Sequence, residues 1–305
     1  MTNLPQVCVV GSANVDLIFQ VLRLPRMGET LAGKQMHLGF GGKGANQAVM
    51  AARLGARVSL VAKVGGDVFG EQMLANLRNQ GINTTHVRID TTNSTGVASI
   101  VVDDEAQNCI IVVPGANGRL LPEDIRASAP AIQTADVLLC QLEVPMETNL
   151  EAFRLAKAAK VLTILNPAPA MTLPDELLAL ADLCVPNETE LELLTGLTLE
   201  TLDEITVAGQ ALRQHGPQTV IVTLGERGAL LIQEGSAELV PALPVTAVDP
   251  TGAGDAFIGS LAVFLTEGLT MGEAVPLANK AAALSVTRPG TQPAFPTRAE
   301  IGIDV

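Results

Sequence analysis

Val137-Leu138-Leu139-Cys140, then an amphipathic stretch from Thr148 to Lys160, then Val161-Leu162-Thr163-Ile164-Leu165 spell out one strand–helix–strand unit. Apart from Thr163 both strands are apolar, as expected for strands covered on both faces, and the helix between them is long enough for a parallel crossover. The same alternation runs outward in both directions. Upstream, Val7-Cys8-Val9-Val10 reads as a strand, Gly44 to Leu54 as a helix, Val58 to Ala62 as a strand and Phe69 to Gln80 as a helix. Downstream, a helix entered at Pro174 leads to strand Leu183-Cys184-Val185, a short helix from Glu188 to Leu194, a helix from Ile205 to Gln214 and strand Thr219 to Thr223. Helices near Ala253–Leu265 and Gly272–Val286 close the regular pattern. Alternating units of this kind predict an α/β fold, a mainly parallel central sheet flanked by helices. Two segments depart from it. Val15 to Leu38 is extended and turn-rich, and Thr95 to Val113 reads as a hairpin turning at Asp103-Asp104-Glu105. Having strand character without companion helices, they predict a small β appendage able to act as a lid.

The chain has 305 residues, 48% of them hydrophobic, with seven Phe and neither Trp nor Tyr. Its core is therefore aliphatic, and it has no aromatic platform for stacking nucleic-acid bases. A net charge of −13 excludes general binding to nucleic acid or anionic membranes and makes any phosphate site a local feature. Cys8, Cys109, Cys140 and Cys184 are widely spaced and read as buried, reduced thiols of a cytoplasmic protein. No leader pattern and no apolar run of about 18 residues appears, so neither secretion nor a membrane span is expected. No internal repeat or interdomain linker is visible, which favours a single domain over 1–305.

The strongest chemical signal is Asp249-Pro250-Thr251-Gly252-Ala253-Gly254-Asp255, followed at once by an apolar helix. Small residues leave the first-turn N–H groups uncovered, and with the positive end of the helix dipole these form an anion site. Asp255 in that site can take a proton from a hydroxyl while the amides hold developing negative charge. The combination predicts phosphoryl transfer.

Gly39-Phe40-Gly41-Gly42-Lys43-Gly44-Ala45-Asn46-Gln47-Ala48 is the second signal. A P-loop requires Ser or Thr after Gly-Lys, and Gly44 stands there instead. The glycines still allow close backbone approach, with Lys43 and Asn46 able to point at a ligand. Asn14 and Asp16 lie two apart after the first strand, facing one side, and suit vicinal hydroxyls. Asn187 and Glu190 have the spacing of a capping box, or of a carboxylate holding Mg²⁺ through water. Glu143 follows a strand end, where α/β sheets place ligand groups. Gly225-Glu226-Arg227-Gly228 reads as a turn permitting close nucleotide approach. His37, His86 and His215 lack metal-ligand spacing. A dinucleotide-binding dehydrogenase would need G-x-G-x-x-G after the first strand, and Val10-Gly11-Ser12-Ala13-Asn14 does not have it.

With these residues in place, the chain resembles the PfkB family of carbohydrate kinases, most closely its ribokinase branch. Gly41 to Asn46, Asn187 to Glu190 and Asp249 to Asp255 match the family's motifs in order, and the resemblance covers essentially the whole chain. It implies a ribokinase-like three-layer sandwich with a β lid from about 13–40 and 95–113. In that branch the lids of two subunits pack together, which implies a homodimer. It implies an ATP-dependent kinase acting on the 5-hydroxyl of D-ribose, with small-molecule sugar and ATP as partners and no nucleic acid or membrane. By this resemblance Asp255 is the base and Gly252, Ala253 and Gly254 the anion hole. Asn14, Asp16, Gly42, Lys43, Asn46, Glu143 and Asp255 fall at sugar positions. Asn187, Thr223, Gly225, Gly228, Gly254 and Asn279 fall at nucleotide positions, and Glu190 at the Mg²⁺ motif. Asp249, Thr251, Ser285, Arg288, Gly290 and Ala294 fall at a K⁺ site built mostly from backbone carbonyls. Ala294 stands where the branch often has Ser and could contribute only its backbone. Relatives acting on 2-deoxyribose, fructose or a nucleoside share these motifs, and a non-catalytic sugar-binding protein could share the fold, although the base and its glycines are present here. The apolar stretch Ser99-Ile100-Val101 offers no aromatic to stack on a purine, which counts against nucleosides.

Overall fold

The computed structural model describes residues 4–105 and 107–303. In chain order its strands are β1 (Gln6–Val10), β2 (Asn14–Gln20), β3 (Gln35–Gly41), β4 (Arg57–Gly65), β5 (Val87–Asp90), β6 (Gly96–Val102), β7 (Asn108–Val113), β8 (Val137–Cys140), β9 (Leu162–Leu165), β10 (Leu183–Cys184), β11 (Thr219–Thr223), β12 (Ala229–Gln233) and β13 (Ser236–Val240). Nine of them form the main sheet, in the order β13-β12-β11-β10-β9-β8-β1-β4-β5. It is parallel from β5 to β11, and β12 and β13 add an antiparallel edge.

Successive residues of β1 point to opposite faces, so Val7 and Val9 join one apolar cluster while Cys8 and Val10 join another. The first cluster takes in helices Lys43–Arg53, Ala253–Thr266 and Met271–Ser285. The second takes in Met146–Ala158 and Leu202–Gln214. Helices therefore cover both faces, giving the expected three layers. The strand Val87–Asp90 and the edge strand Ser236–Val240 are not foreseen from the sequence; both are short, and the second is largely exposed, so neither carries a continuous apolar run.

β3, β2, β6 and β7 form a separate four-stranded sheet in that order, with β2 and β6 parallel and the outer pairs antiparallel. Both segments that depart from the alternating pattern thus lie in it, although the turn between β6 and β7 includes residue 106, outside the described residues. Cys8, Cys140 and Cys184 are fully buried in the main sheet. Cys109 is exposed on β7, contrary to the buried reading, because β7 is exposed along its length. Among the described residues, no helix is long and apolar enough to cross a membrane.

The chain runs from β1 to β4 and β5 on one side and from β8 to β11 on the other, so the order reverses between β1 and β8. Outside the carboxyl ends of such a switch point is where open α/β sheets hold ligands. Ser12 and Asn14 leave β1 there, and Gln141 and Glu143 leave β8. Two helices are brought to this edge by close glycine contacts. A Cβ on Gly44 would lie 2.7 Å from the backbone of Gly11, and one on Gly259 would lie 2.7 Å from the Gln47 carbonyl oxygen and 2.8 Å from Met50 Cβ. Gly259→Val is therefore expected to lower stability by ~1–3 kcal/mol, the usual range for overpacking, read as a fall in Tm of several degrees. An unchanged Tm would show that these helices can separate at little cost.

Candidate active site

Asp255 lies in the first turn of the Ala253–Thr266 helix and is 6% exposed. Its Oδ2 accepts from Asn46 Nδ2 at 2.9 Å and its Oδ1 from Gln47 Nε2 at 3.0 Å. Burial raises its pKa above the ordinary aspartate value, against the opposing pull of Lys43 and the two amides. Gly252 caps the helix at φ +81°, with no side chain bonded to the first-turn amides. Those donors face a cavity of about 190 Å³ lined by Lys43, Asn166, Asn187, Glu190, Thr223 and Gly252 to Asp255. A polar cleft with free helix N–H groups, one lysine and a buried carboxylate can bind a phosphoryl group and deprotonate a neighbouring hydroxyl.

The Lys43–Arg53 helix brings a second N-terminus to the same place. Its cap, Gly42, has φ +86°, and a Cβ there would lie 2.7 Å from Asn14 N, so close packing and backbone conformation both demand glycine. Glu143 Oε2 accepts from Lys43 N at 2.9 Å and also from the Ser12 hydroxyl. Glu143 thus ties the switch point to the start of this helix, in addition to its place among the expected sugar residues. Burial works to lower the Lys43 pKa, but Asp255, Glu143 and Glu190 outweigh it and raise it, so the ammonium stays charged.

Asn14 and Asp16 come from the small sheet. Asn14 is buried, and its Oδ1 accepts from Asn117 Nδ2 at 2.6 Å, which leaves its own amide nitrogen as a donor. Asp16 packs against Gly41, where a Cβ would lie 2.3 Å from Asp16 Oδ2. Its pKa is pushed up to about 6 by burial and by Glu143.

Asn187 and Glu190 form the capping box. Glu190 N donates to Asn187 Oδ1 at 2.8 Å, and Asn187 N donates to Glu190 Oε2 at 2.8 Å. Glu190 also lines the 190 Å³ cavity, so the capping box leaves it facing that space. A second cavity of about 480 Å³ adjoins it through Thr223, Pro250, Ala253 and Gly254, and is walled by Gly225, Gly228, Asn279 and apolar side chains including Val245 and Phe257. Asn279 donates to the carbonyls of Val240 and Pro241, bracing that wall. All the residues expected at nucleotide positions thus line one or both of these cavities.

Of the remaining group, Thr251 and Gly290 meet at Asp249, which accepts from Thr251 N at 3.0 Å and Gly290 N at 2.9 Å. Although burial opposes it, these bonds hold its pKa below the ordinary value. Arg288 is turned away to Glu300, and the Ser285 hydroxyl donates to the Ala282 carbonyl. Among the described residues no cluster of three or more His, Cys, Asp or Glu could hold a metal by itself.

Several site residues carry no motif signal. Gln47, Asn117, Gln141, Asn166 and Gln292 are buried and bond to the residues named above. Gln47 stood within the glycine-rich motif without a role. A polar residue followed directly by the buried run Ala48-Val49-Met50-Ala51 must find a partner, and that was the available signal.

Fold and site together define a phosphotransferase acting on an alcohol. Residues 4–298 match the model of the pfkB family carbohydrate kinases, and the chain belongs to that family of sugar kinases. It is 43% identical over 292 residues to a deoxyribokinase of Salmonella typhi, covering 95% of each chain. It is 41% identical over 303 residues to a ribokinase of Mus musculus, covering 97% of this chain and 93% of that one. The solved structure of Arabidopsis thaliana ribokinase complexed with ribose and ATP matches it with a TM-score of 0.93 at 35% identity, over 98% of both chains.

The electrostatics of Asp16 can be tested. Its folded pKa, about 6, lies above the unfolded value, so its stabilising contribution is complete below pH ~4 and is lost as pH rises through 6. At neutral pH that loss is worth roughly 1–2 kcal/mol, allowing for solvent screening of a partly exposed group. Asp16→Asn should therefore raise Tm at pH 7.5 by a few degrees and leave it little changed at pH 4. An equal shift at both pH values would contradict this.

Proposed function

We propose that this chain is an ATP-dependent kinase that phosphorylates the 5-hydroxyl of D-ribose. The observation that carries the reading is the buried carboxylate of Asp255 at an uncapped helix N-terminus, with Lys43 beside it. ATP lies along the carboxyl edge of the main sheet in the 480 Å³ cavity, its γ-phosphate toward Gly252–Gly254. Ribose lies between the two sheets, held by Asn14, Asp16, Gly42, Lys43, Asn46 and Glu143. Asp255 accepts the proton of the 5-hydroxyl as that oxygen attacks in line, and the helix amides and Lys43 offset charge on the transferred group.

Mg²⁺ supplies further charge neutralisation at the phosphates when bound. Glu190 would hold it through water, beside phosphate oxygens. For K⁺, the Asp249 carboxylate is already occupied by two amides and Arg288 by Glu300. Backbone carbonyls of Asp249, Thr251, Ser285, Arg288, Gly290 and Ala294 are therefore the expected ligands.

Residues 1–305 act as one kinase unit with the small sheet as lid. Ile110, Ile111, Val112 and Val113 on β7 are each more than half exposed, so both faces of this edge strand are apolar and uncovered. One face closes over the sugar and excludes water, and the other packs on a second subunit. The reading places the enzyme in the cytoplasm. The match to the Salmonella deoxyribokinase favours 2-deoxyribose as the second reading of the substrate.

Asp255→Asn should lose ~10²–10⁴-fold in turnover, the usual share of a general base, while keeping ATP and ribose affinity. Measured ADP release near the wild-type rate would sink the assignment. The same assay across D-ribose, 2-deoxyribose, fructose and nucleosides, with and without K⁺, ranks the substrates. The raised Asp255 pKa places the acid limb of kcat/KM above the ordinary aspartate range, with activity falling as the pH drops through it and the base becomes protonated. Ile111→Lys is expected to convert a dimer to monomer by sedimentation; a wild-type monomer would refute the lid interface.

A further inference from the structure

Behind Asp255 lies a chain of buried side-chain amides that nothing above employs. Gln47 is fully buried, and its Nε2 is shared between Asp255 Oδ1 at 3.0 Å and Asn166 Oδ1 at 3.1 Å. Its Oε1 accepts from Gln141 Nε2 at 2.6 Å. Asn166 donates through Nδ2 to the Val185 carbonyl at 3.1 Å, so its oxygen must face Gln47. Turning the Gln47 amide over would set its oxygen against two other oxygens, one of them on a carboxylate. Its donor orientation is thus fixed by charge as well as by geometry.

We propose that Gln47, held by Gln141, is a positioning residue for phosphoryl transfer. It holds Asp255 Oδ1, so that Oδ2, beside Asn46, is the oxygen presented to the sugar hydroxyl. This rests on the reading of Asp255 as the base. Without the inner bond the carboxylate can rotate about its Cβ–Cγ bond, and the reactive oxygen no longer stays within hydrogen-bond reach of the hydroxyl. Gln47 touches neither sugar nor nucleotide in this arrangement, so its loss should act on the chemical step and not on binding. The bond from Gln47 also favours the ionised form of Asp255. The charged groups facing Asp255 are Lys43 on the same helix as Gln47, Glu143 after β8 and Glu190 on the Glu188–Thr195 helix. None of them changes in the variants that follow.

The test is steady-state kinetics of ADP release on the full chain, with D-ribose and ATP, from pH 5 to 9. Gln47→Leu should lower kcat roughly tenfold or more, leave KM for ribose and ATP within about twofold, and move the acid limb of kcat/KM upward by about one pH unit. Gln141→Leu should do the same to a smaller extent. The double variant should match Gln47→Leu alone, because Gln141 acts only through Gln47. Wild-type kcat and acid limb in Gln47→Leu, or strictly additive losses in the double variant, overturn the proposal. If Gln47→Leu does not fold, Gln141→Leu decides: kcat lowered at unchanged KM supports the role, and unchanged kcat overturns it. Asp255→Asn runs alongside. Full turnover there overturns the base assignment and this role with it, whereas lost turnover there with Gln47→Leu unaffected overturns the role of Gln47 alone.

Discussion

The site depends on the close contact between two helices that deliver their N-termini to one point. Gly259 lets the Ala253–Thr266 helix approach the carbonyl of Gln47 on the Lys43–Arg53 helix, and only at that separation do Asn46 and Gln47 both reach the Asp255 carboxylate. A buried, isolated carboxylate would be expensive to ionise. Here two side-chain amides, a lysine and the positive ends of two helix dipoles surround it. These terms do not cancel the burial, so Asp255 remains a stronger base than an exposed aspartate while still accessible in its ionised form.

The same balance extends across the pocket. Glu143, Glu190 and Asp255 converge on Lys43, and Asp16 faces Glu143, in a chain that is already strongly acidic. On the proposed reading, a site of that composition would attract a triphosphate through Lys43 and through backbone amides, which bring positive potential without a titratable group. Burial and mutual repulsion raise Asp16 and Glu190, and the ammonium of Lys43 is held charged by its neighbours. An arriving sugar that donates hydroxyl protons to Asp16 and Glu143 would relieve part of this stored repulsion.

The main sheet was legible because β8, β9 and β11 carry continuous apolar runs, and the small sheet because its strands lack partner helices. The motif residues were legible because glycine and carboxylate at fixed spacing have few other uses. Short elements were not, since Val87–Asp90 and Ser236–Val240 are stabilised by pairing with neighbours rather than by their own pattern. Gln47, Asn117, Gln141, Asn166 and Gln292 were missed for a related reason. Their significance lies in which partner each meets, and those partners sit tens to hundreds of residues away along the chain.

The division of the pocket between two sheets gives the binding step its character. Asp255, Asn46, Gln47 and Glu143 lie on the helices and strand ends of the main α/β body, whereas Asn14 and Asp16 begin β2 of the small sheet. Where the sheets join, Asp67 at the Val68–Asn79 helix cap accepts from both the backbone and the hydroxyl of Thr95, one residue before β6. Asn117 grips Ala13 and Asn14 on the other side. The two anchors hold the base of the small sheet while β7 at its far edge stays exposed. If the pocket holds a sugar as proposed, one bonded to both sheets would draw them together, and its hydroxyls would become part of what closes the site. On the proposed reading, selectivity would fall chiefly to Asn14 and Asp16, because these two residues sit where the anchored end of the small sheet meets the core.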